Sequence, residues 1–282
     1  MIDLDSLIES SRNLAALPES STRLASLFGR EDWEFEEVTS ILKLDAPLTG
    51  RVLGFANSAA SGAKSEIMDV EQAFVRLGPG GILRLALGAA AKKQFECSDA
   101  AFGLEEGSLW RHSVASALAV EQARKVLKCV VPPEAFAAAL LHDIGLVVLG
   151  RFIDSDDVRY LRECIEHEAV SAADAELELL QVHHGEVGGL IAASWHLPES
   201  IVEAITHHHN PDASTKSEWV QVADLVHLAD AVSFKIGCRD SSEGGIVNET
   251  VALRLKLTDE KFDELCVEVE ERFEEVLASY EV

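Results

Sequence analysis

Five places in this 282-residue chain gather the side-chain types that bind metal ions. His112 stands in Trp110–Arg111–His112–Ser113, and His142–Asp143 closes an alanine- and leucine-rich run before Ile144–Gly145. His183–His184–Gly185–Glu186–Val187–Gly188 follows, then His207–His208–His209, and last Asp230 within Leu228–Ala229–Asp230–Ala231. Imidazole nitrogens with one or two carboxylates suit a divalent ion such as iron, manganese or zinc. Ligands drawn from several helices can converge on a bundle core, where the walls exclude competing solvent. Neighbouring residues on a helix point about 100° apart, because a turn takes ~3.6 residues. His142 and Asp143 can therefore share an ion only near a helix end, and Gly145 is consistent with one. Taken singly, these residues have plainer readings. His207 near a helix C-terminus is a favourable partner for the helix dipole, and His167, His196 and His227 have no spaced companions and read as ordinary residues.

Such residues have to be carried by helices, and helical spacing fills the chain. Leu24, Leu27 and Phe28 follow the cap signal Ser20–Ser21–Thr22. Val38, Ile41 and Leu42 form a second stripe, and Leu48, Val52, Leu53 and Ala56 a third, entered through Pro47. Gly78–Pro79–Gly80 breaks the pattern between a helix ending near Leu77 and one carrying Ile82, Leu83, Leu85 and Leu87. The chain turns small and polar from Phe95 to Gly107, which marks a boundary between lobes. Beyond it, helices are predicted near Leu109–Val126, after Pro132–Pro133, over Val187–Trp195, over Glu199–Thr206 and over Val220–Phe234. Asp240–Gly245 reads as a loop. From Asp259 onward, Phe262, Leu265, Val269, Phe273 and Val276 line one face of an amphipathic helix. The expected fold is all-α: a two-lobed helical bundle, with an N-terminal helical lobe over residues 1–100, a larger lobe over 101–240 and a C-terminal helical extension over 241–282.

Charge narrows the function classes. Lys and Arg number 24 against 49 Asp and Glu, a formal net charge of −25. A surface so negative repels phosphate backbones and anionic lipid, so neither nucleic acid nor a membrane is expected as a partner. The same field opposes a phosphorylated substrate unless a metal or a local basic cluster offsets it. The cysteines (Cys97, Cys129, Cys164, Cys238 and Cys266) are odd in number and widely spaced, as small hydrophobes in a reducing compartment are. Met1 to Ser11 lacks the basic region of a signal peptide. The longest apolar runs, such as Ala135–Leu141, are too short to span a bilayer. A cytoplasmic location is expected.

The order His112, His142–Asp143, Asp230 resembles the H…HD…D signature of the HD superfamily of metal-dependent phosphohydrolases. His184 and His208–His209 are similar to the further ligands that the HD-GYP branch uses for a second metal. The N-terminal lobe resembles another relative, the HDOD (HD-related output) domain. Its landmarks are matched by Leu17–Pro18, Asp45–Ala46–Pro47–Leu48, Ala56–Asn57–Ser58, and Ala73 through Leu77–Gly78. In the second lobe, which the resemblance makes HD-like, they are matched by His184–Gly185–Glu186–Val187–Gly188, Trp195–His196–Leu197–Pro198–Glu199 and His208–His209–Asn210–Pro211. The likeness covers residues 15 to 235. The chain departs from active relatives in two ways. Its two tyrosines, Tyr160 and Tyr280, stand in no Gly-Tyr-Pro motif, which argues against cyclic di-GMP breakdown. Active HD enzymes tend to place a lysine after H-D-x-G, and here that position is Leu146.

The resemblance implies a signal-transduction or scaffold module, non-catalytic, with a retained metal site. HDOD domains often lose ligand positions; here His112, His142, Asp143, His184, His208, His209 and Asp230 are all present. The expected cofactor is one or two divalent transition-metal ions (Fe, Mn or Zn), with no organic cofactor. The expected partners are signalling proteins with basic surfaces, met by a monomer or homodimer. The alternative is a metal-dependent phosphohydrolase acting on a nucleotide or other phosphoester. His112, His142, Asp143 and Asp230 would then hold the first ion and His184, His208 and His209 the second, with Arg111 and Lys235 the nearest basic residues in sequence. A redox or oxygen-sensing di-iron site is a third reading of the same ligands.

Overall fold

Every regular element among the described residues is helical. The computed structural model describes residues 3–30, 32–58, 61, 66–95, 98–168, 171–238, 246–278 and 280, leaving aside the side chains of 166–168 and 218. The expected loop at 240–245, Cys97 and the His167 side chain lie outside the described residues. The N-terminal lobe consists of α1 (Leu4–Arg12), α2 (Glu19–Phe28), α3 (Phe35–Leu44), α4 (Ala46–Ala56) and the long α5 (Val70–Phe95). A 3₁₀ turn at Asp99–Phe102 leads to α6 (Ser108–Leu127), α7 (Pro133–Leu141), α8 (Ile144–Leu149) and α9 (Ser155–Glu168). Then come α10 (Ala172–Leu180), α11 (His184–Ser194) and α12 (Glu199–His207). After a second 3₁₀ turn at Pro211–Ala213 follow α13 (Ser217–Lys235), α14 (Glu249–Leu255) and α15 (Asp259–Ala278). The all-helical fold read from spacing is the fold observed.

Local chemistry sets the breaks. The Asp45 carboxylate caps α4 by accepting from the Leu48 amide at 2.9 Å, with Pro47 in the first turn. Within α5, Gly78 takes φ 68°, where a Cβ would be strained, and Pro79 then restarts the helix. By length and composition α5 is apolar enough to cross a membrane, yet half of its most apolar window is buried in the fold. Only residues 79–95 lie beyond the kink, short of the ~20 a span needs. It is a core helix.

The entry to α6 is fixed by Asp99, whose carboxylate accepts the amide protons of Gly107 at 2.9 Å and Leu109 at 2.8 Å. α6 then runs through the middle of the molecule, against α7, α13 and α15. α8 lies directly on α11 because both carry glycine where they touch. A Cβ on Gly145 would come within 1.9 Å of the His184 carbonyl oxygen and 2.8 Å of the Gly188 nitrogen.

The main hydrophobic core, from Leu7 to Val276, serves both lobes, and a small second cluster of Leu161, Cys164 and Ala175 joins α9 to α10. α1 packs on α8 and α11, and α5 on α7. The C-terminal extension grips the second lobe at two points. Arg254 on α14 holds the buried Asp224 of α13 through two hydrogen bonds, of 2.6 and 2.7 Å. α15 lies along α6, joined by Arg111–Glu274 (2.7 Å) and Lys125–Glu268 (2.5 Å). Cys164, Cys238 and Cys266 are buried and Cys129 is partly so, all as free thiols.

Candidate metal centre

His112, His142, Asp143, His184, His208, His209 and Asp230 come together in the second lobe. His112 sits on α6, His142 and Asp143 in the break between α7 and α8, and His184 on the first turn of α11. His208 and His209 follow the end of α12, and Asp230 lies on α13. The break between α7 and α8 is the helix end that the adjacent His142–Asp143 pair requires. His112, His142 and His208 are wholly buried, Asp143 and His184 almost so.

The ring orientations follow from the partners on the far side of each imidazole. His142 Nδ1 faces the Ala139 carbonyl at 2.7 Å and His208 Nδ1 the Ile205 carbonyl at 2.7 Å. A carbonyl only accepts, so both Nδ1 atoms carry the proton. His184 Nδ1 likewise donates to the Glu176 carboxylate, at 2.7 and 2.9 Å to its two oxygens. His112 Nδ1–H donates to the Ser233 oxygen at 2.9 Å, while the Ser233 hydroxyl turns its own proton to the His112 carbonyl at 3.1 Å. Four Nε2 lone pairs are thereby directed inward. His112 and His142 present theirs to each other at 3.2 Å, and His184 faces His208 at 3.3 Å and His209 at 2.8 Å.

The carboxylates lie between these nitrogens. Asp230 Oδ1 is 2.9 Å from His112 Nε2 and 3.4 Å from His142 Nε2. Asp143 reaches both groups: Oδ1 is 3.3 Å from His184 Nε2 and 3.6 Å from His142 Nε2, and Oδ2 is 3.7 Å from His112 Nε2. Three triads have ligand atoms within 4.8 Å of one another, and they share residues: His112–His142–Asp230, His142–Asp143–His208 and His184–His208–His209. Burial pushes the Asp230 carboxyl up, but His112 and His142 hold it well below the usual carboxylate range. Burial alone would pull His142 down, yet Asp143 and Asp230 carry it up to about 9. Burial and nearby imidazoles pull His209 down to about 3. Inward-facing lone pairs and two carboxylates call for positive charge between them. A proton on His142 supplies one unit, and a divalent cation fits the donor set more fully.

Sequence reasoning missed the outer partners. Glu176 lies in an acidic stretch between Asp174 and Glu178 with nothing in its spacing to single it out, and Ser233 is one small residue of a long helix. His227, read as ordinary, is structural: it donates to the His208 carbonyl at 2.7 Å and accepts from the Asn248 amide at 3.1 Å. His196 is an exposed turn residue with φ 57°. The two basic residues nearest the motif in sequence are engaged elsewhere or exposed. Arg111 pairs with Glu274 and stacks on Phe273, and Lys235 is exposed.

The HDOD domain family model matches residues 14–211 of the chain. The chain belongs to the HDOD domain family. An HDOD domain protein of unknown function from Geobacter sulfurreducens is similar at 23% identity with a TM-score of 0.67, covering 99% of this chain and 98% of that one. A provisionally assigned signal transduction protein from Marinobacter aquaeolei VT8 is similar at 20% identity with a TM-score of 0.72, over 99% of this chain and 61% of its own. A provisionally assigned metal-dependent phosphohydrolase from Shewanella amazonensis SB2B is similar at 19% identity with a TM-score of 0.59, over 98% and 96%. At these identities the likeness speaks for the fold alone. An uncharacterised protein of Treponema pallidum (strain Nichols) is 22% identical over 199 residues, 70% of this chain, and the match spans 38% of that relative's length. The HDOD match stops at residue 211, so Asp230 and Ser233 of this HDOD chain are contributed from beyond it.

Proposed function

We propose that this HDOD chain is a cytoplasmic signal-transduction module that retains a divalent-metal centre and does not turn over substrate. One observation carries the reading: a full set of inward-facing imidazoles and carboxylates beside which Leu146 and the engaged Arg111, among the described residues, offer no cation to a phosphate. Leu146 follows His142–Asp143–Ile144–Gly145 as a fully buried apolar residue, and Arg111 is held by α15. His112, His142, Asp143 and Asp230 would hold one ion, and His184, His208 and His209, with Asp143 shared, a second. Ions of the iron, manganese or zinc class suit that donor set. When bound, such an ion supplies Lewis acidity and a water of lowered pKa. The remaining work, orienting a phosphoester and neutralising its charge, has no matching side chains in this reading. The net charge of −25 favours signalling partners with basic surfaces.

The test is metal content by mass spectrometry on untagged protein purified anaerobically without chelator, paired with phosphodiesterase and phosphomonoesterase assays. One or two equivalents with no turnover is the expected result. A metal-free folded protein would remove the centre from the reading. Turnover that disappears in Asp143→Ala would replace it with the second reading, a metal-dependent phosphohydrolase. That reading is favoured by one feature, the position of Asp143 between the two histidine groups, as a carboxylate bridging two ions would lie.

A further inference from the structure

A cavity of about 490 Å³ opens where the α5 kink meets α6, the start of α7 and α15. In a chain with 25 more acids than bases, it is lined by four arginines: Arg76 and Arg84 from α5, Arg124 from α6 and Arg272 from α15. Its acids are Glu121 and Glu275, so two positive charges are in excess. Phosphate monoesters carry about −1.5 to −2 at neutral pH, which that excess matches. Phe136, Val131 and Pro132 give the cavity an apolar wall.

Arg84 makes this a built site. It is only 7% exposed, and its guanidinium lies over the Phe55 ring, 4.7 Å from the centroid. Its ion pair with Glu121 is long at 3.4 Å, and its Nε–H, closed off from solvent, has no acceptor among the described residues. Arg84 therefore brings a nearly buried positive charge to the cavity wall, balanced only by a long contact to Glu121. Arg124 and Arg272 are exposed and form no ion pair among the described residues. Arg76 gives a hydrogen bond to the Ser61 carbonyl. The kink at Gly78–Pro79–Gly80 lines the cavity too, and a Cβ at Gly78 or Gly80 would meet nothing within 4 Å.

We propose that this cavity binds a small organic phosphate. Arg84, Arg124 and Arg272 hold the phosphate, and Phe136, Val131 and Pro132 pack against the organic portion. The site is separate from the histidines yet joined to them by two helices. Glu121 follows His112 by nine residues and Pro133 precedes His142 by nine. At 1.5 Å per residue the cavity lies roughly 13 Å along α6 and α7 from the metal-facing rings. Arg272 and Glu275 stand outside the stretch that the family model matches. The proposal does not depend on the metal centre.

The experiment is isothermal titration calorimetry of the full chain, as purified and after chelator treatment, with AMP, GMP, CMP and UMP and with inorganic phosphate as the bare anion. At least one nucleotide is expected to bind saturably at one equivalent, about tenfold or more tighter than phosphate. The double variant R124A/R272A, altered at two exposed positions and checked by circular dichroism, is expected to lose about tenfold or more, since each charge-assisted hydrogen bond is worth roughly that factor. Binding is expected to survive both chelation and Asp143→Ala. No nucleotide binding, binding no tighter than inorganic phosphate, or binding unchanged in R124A/R272A would overturn the proposal. Nucleotide binding abolished by chelation would assign it to the metal centre and overturn the proposal equally.

Discussion

Glu176 holds His184 by two atoms at once, accepting its backbone amide proton at 2.7 Å and its ring Nδ1–H at 2.7–2.9 Å. The backbone bond fixes the start of α11 and the ring bond fixes the tautomer, so one buried carboxylate sets both the position and the basicity of an inward-facing nitrogen. Carboxylate–histidine pairs of this kind tune metal affinity.

Glu176→Gln keeps the shape and one acceptor but removes the charge. We expect the affinity for the ion facing His184 to fall about 10- to 100-fold with the fold intact. Competition against a chromophoric chelator measures this directly. An unchanged affinity would reduce Glu176 to a helix cap.

Asp143 is the carboxylate that both histidine groups share. Asp143→Ala is therefore expected to abolish retention of both ions, while Asp230→Ala removes mainly the ion facing His112. Metal content per chain separates the two variants. Retention in Asp143→Ala would undo the ligand assignment.

The contact of α8 on α11 allows no side chain at position 145. Gly145→Ala would drive a methyl into the His184 carbonyl, and relief requires the helices to part. We expect a loss of about 1–3 kcal/mol in chemical denaturation, as for overpacked cores, together with loss of metal, because His142–Asp143 and His184 ride on the two sides of that contact. Full metal content in this variant would show that the centre tolerates helix displacement.

In chelator-treated protein, stability should peak near neutral pH. His142 is pulled down by burial but raised further by Asp143 and Asp230, to about 9. Its contribution is complete below the unfolded value of about 6.5 and is lost as pH climbs through 9. His208 and His209 run the other way: burial first, then neighbouring imidazoles, hold His208 well below its usual range and His209 at about 3. Below about pH 6.5 the unfolded chain takes up protons that these two refuse, so stability falls on acidification as well. Urea denaturation from pH 4 to 10 should trace a peak. A profile that rises steadily with pH would contradict the raised His142.

The helix breaks that mattered were written in local chemistry. Pro47 after Asp45, Gly78–Pro79, Pro132–Pro133 and Pro198 each stand at or beside an observed boundary, because their effects act within one turn. The seven inward-facing residues were likewise legible, as chemically distinctive types at motif spacing. What was not legible depends on three-dimensional proximity. Glu176 is one acid among many, and Ser233 reaches His112 across 121 residues of chain. The cavity arginines are separated in sequence and meet only when α5, α6 and α15 pack. Helices α1, α9, α10 and α14 went unassigned, being stabilised by packing rather than by a strong pattern of their own.

The position of α13 bears on how the protein is made. Asp230 and Ser233, which complete the surroundings of His112, lie beyond residue 211, where the family match ends. A ribosome delivers His112 more than a hundred residues before either of them. At roughly 5–20 residues per second, the nascent chain spends several seconds with the His112 flank open. An ion captured in that interval would be held by a partial set of ligands until α13 brings Asp230 to His112. Any ion that the chain binds early would thus gain the Asp230 carboxylate last.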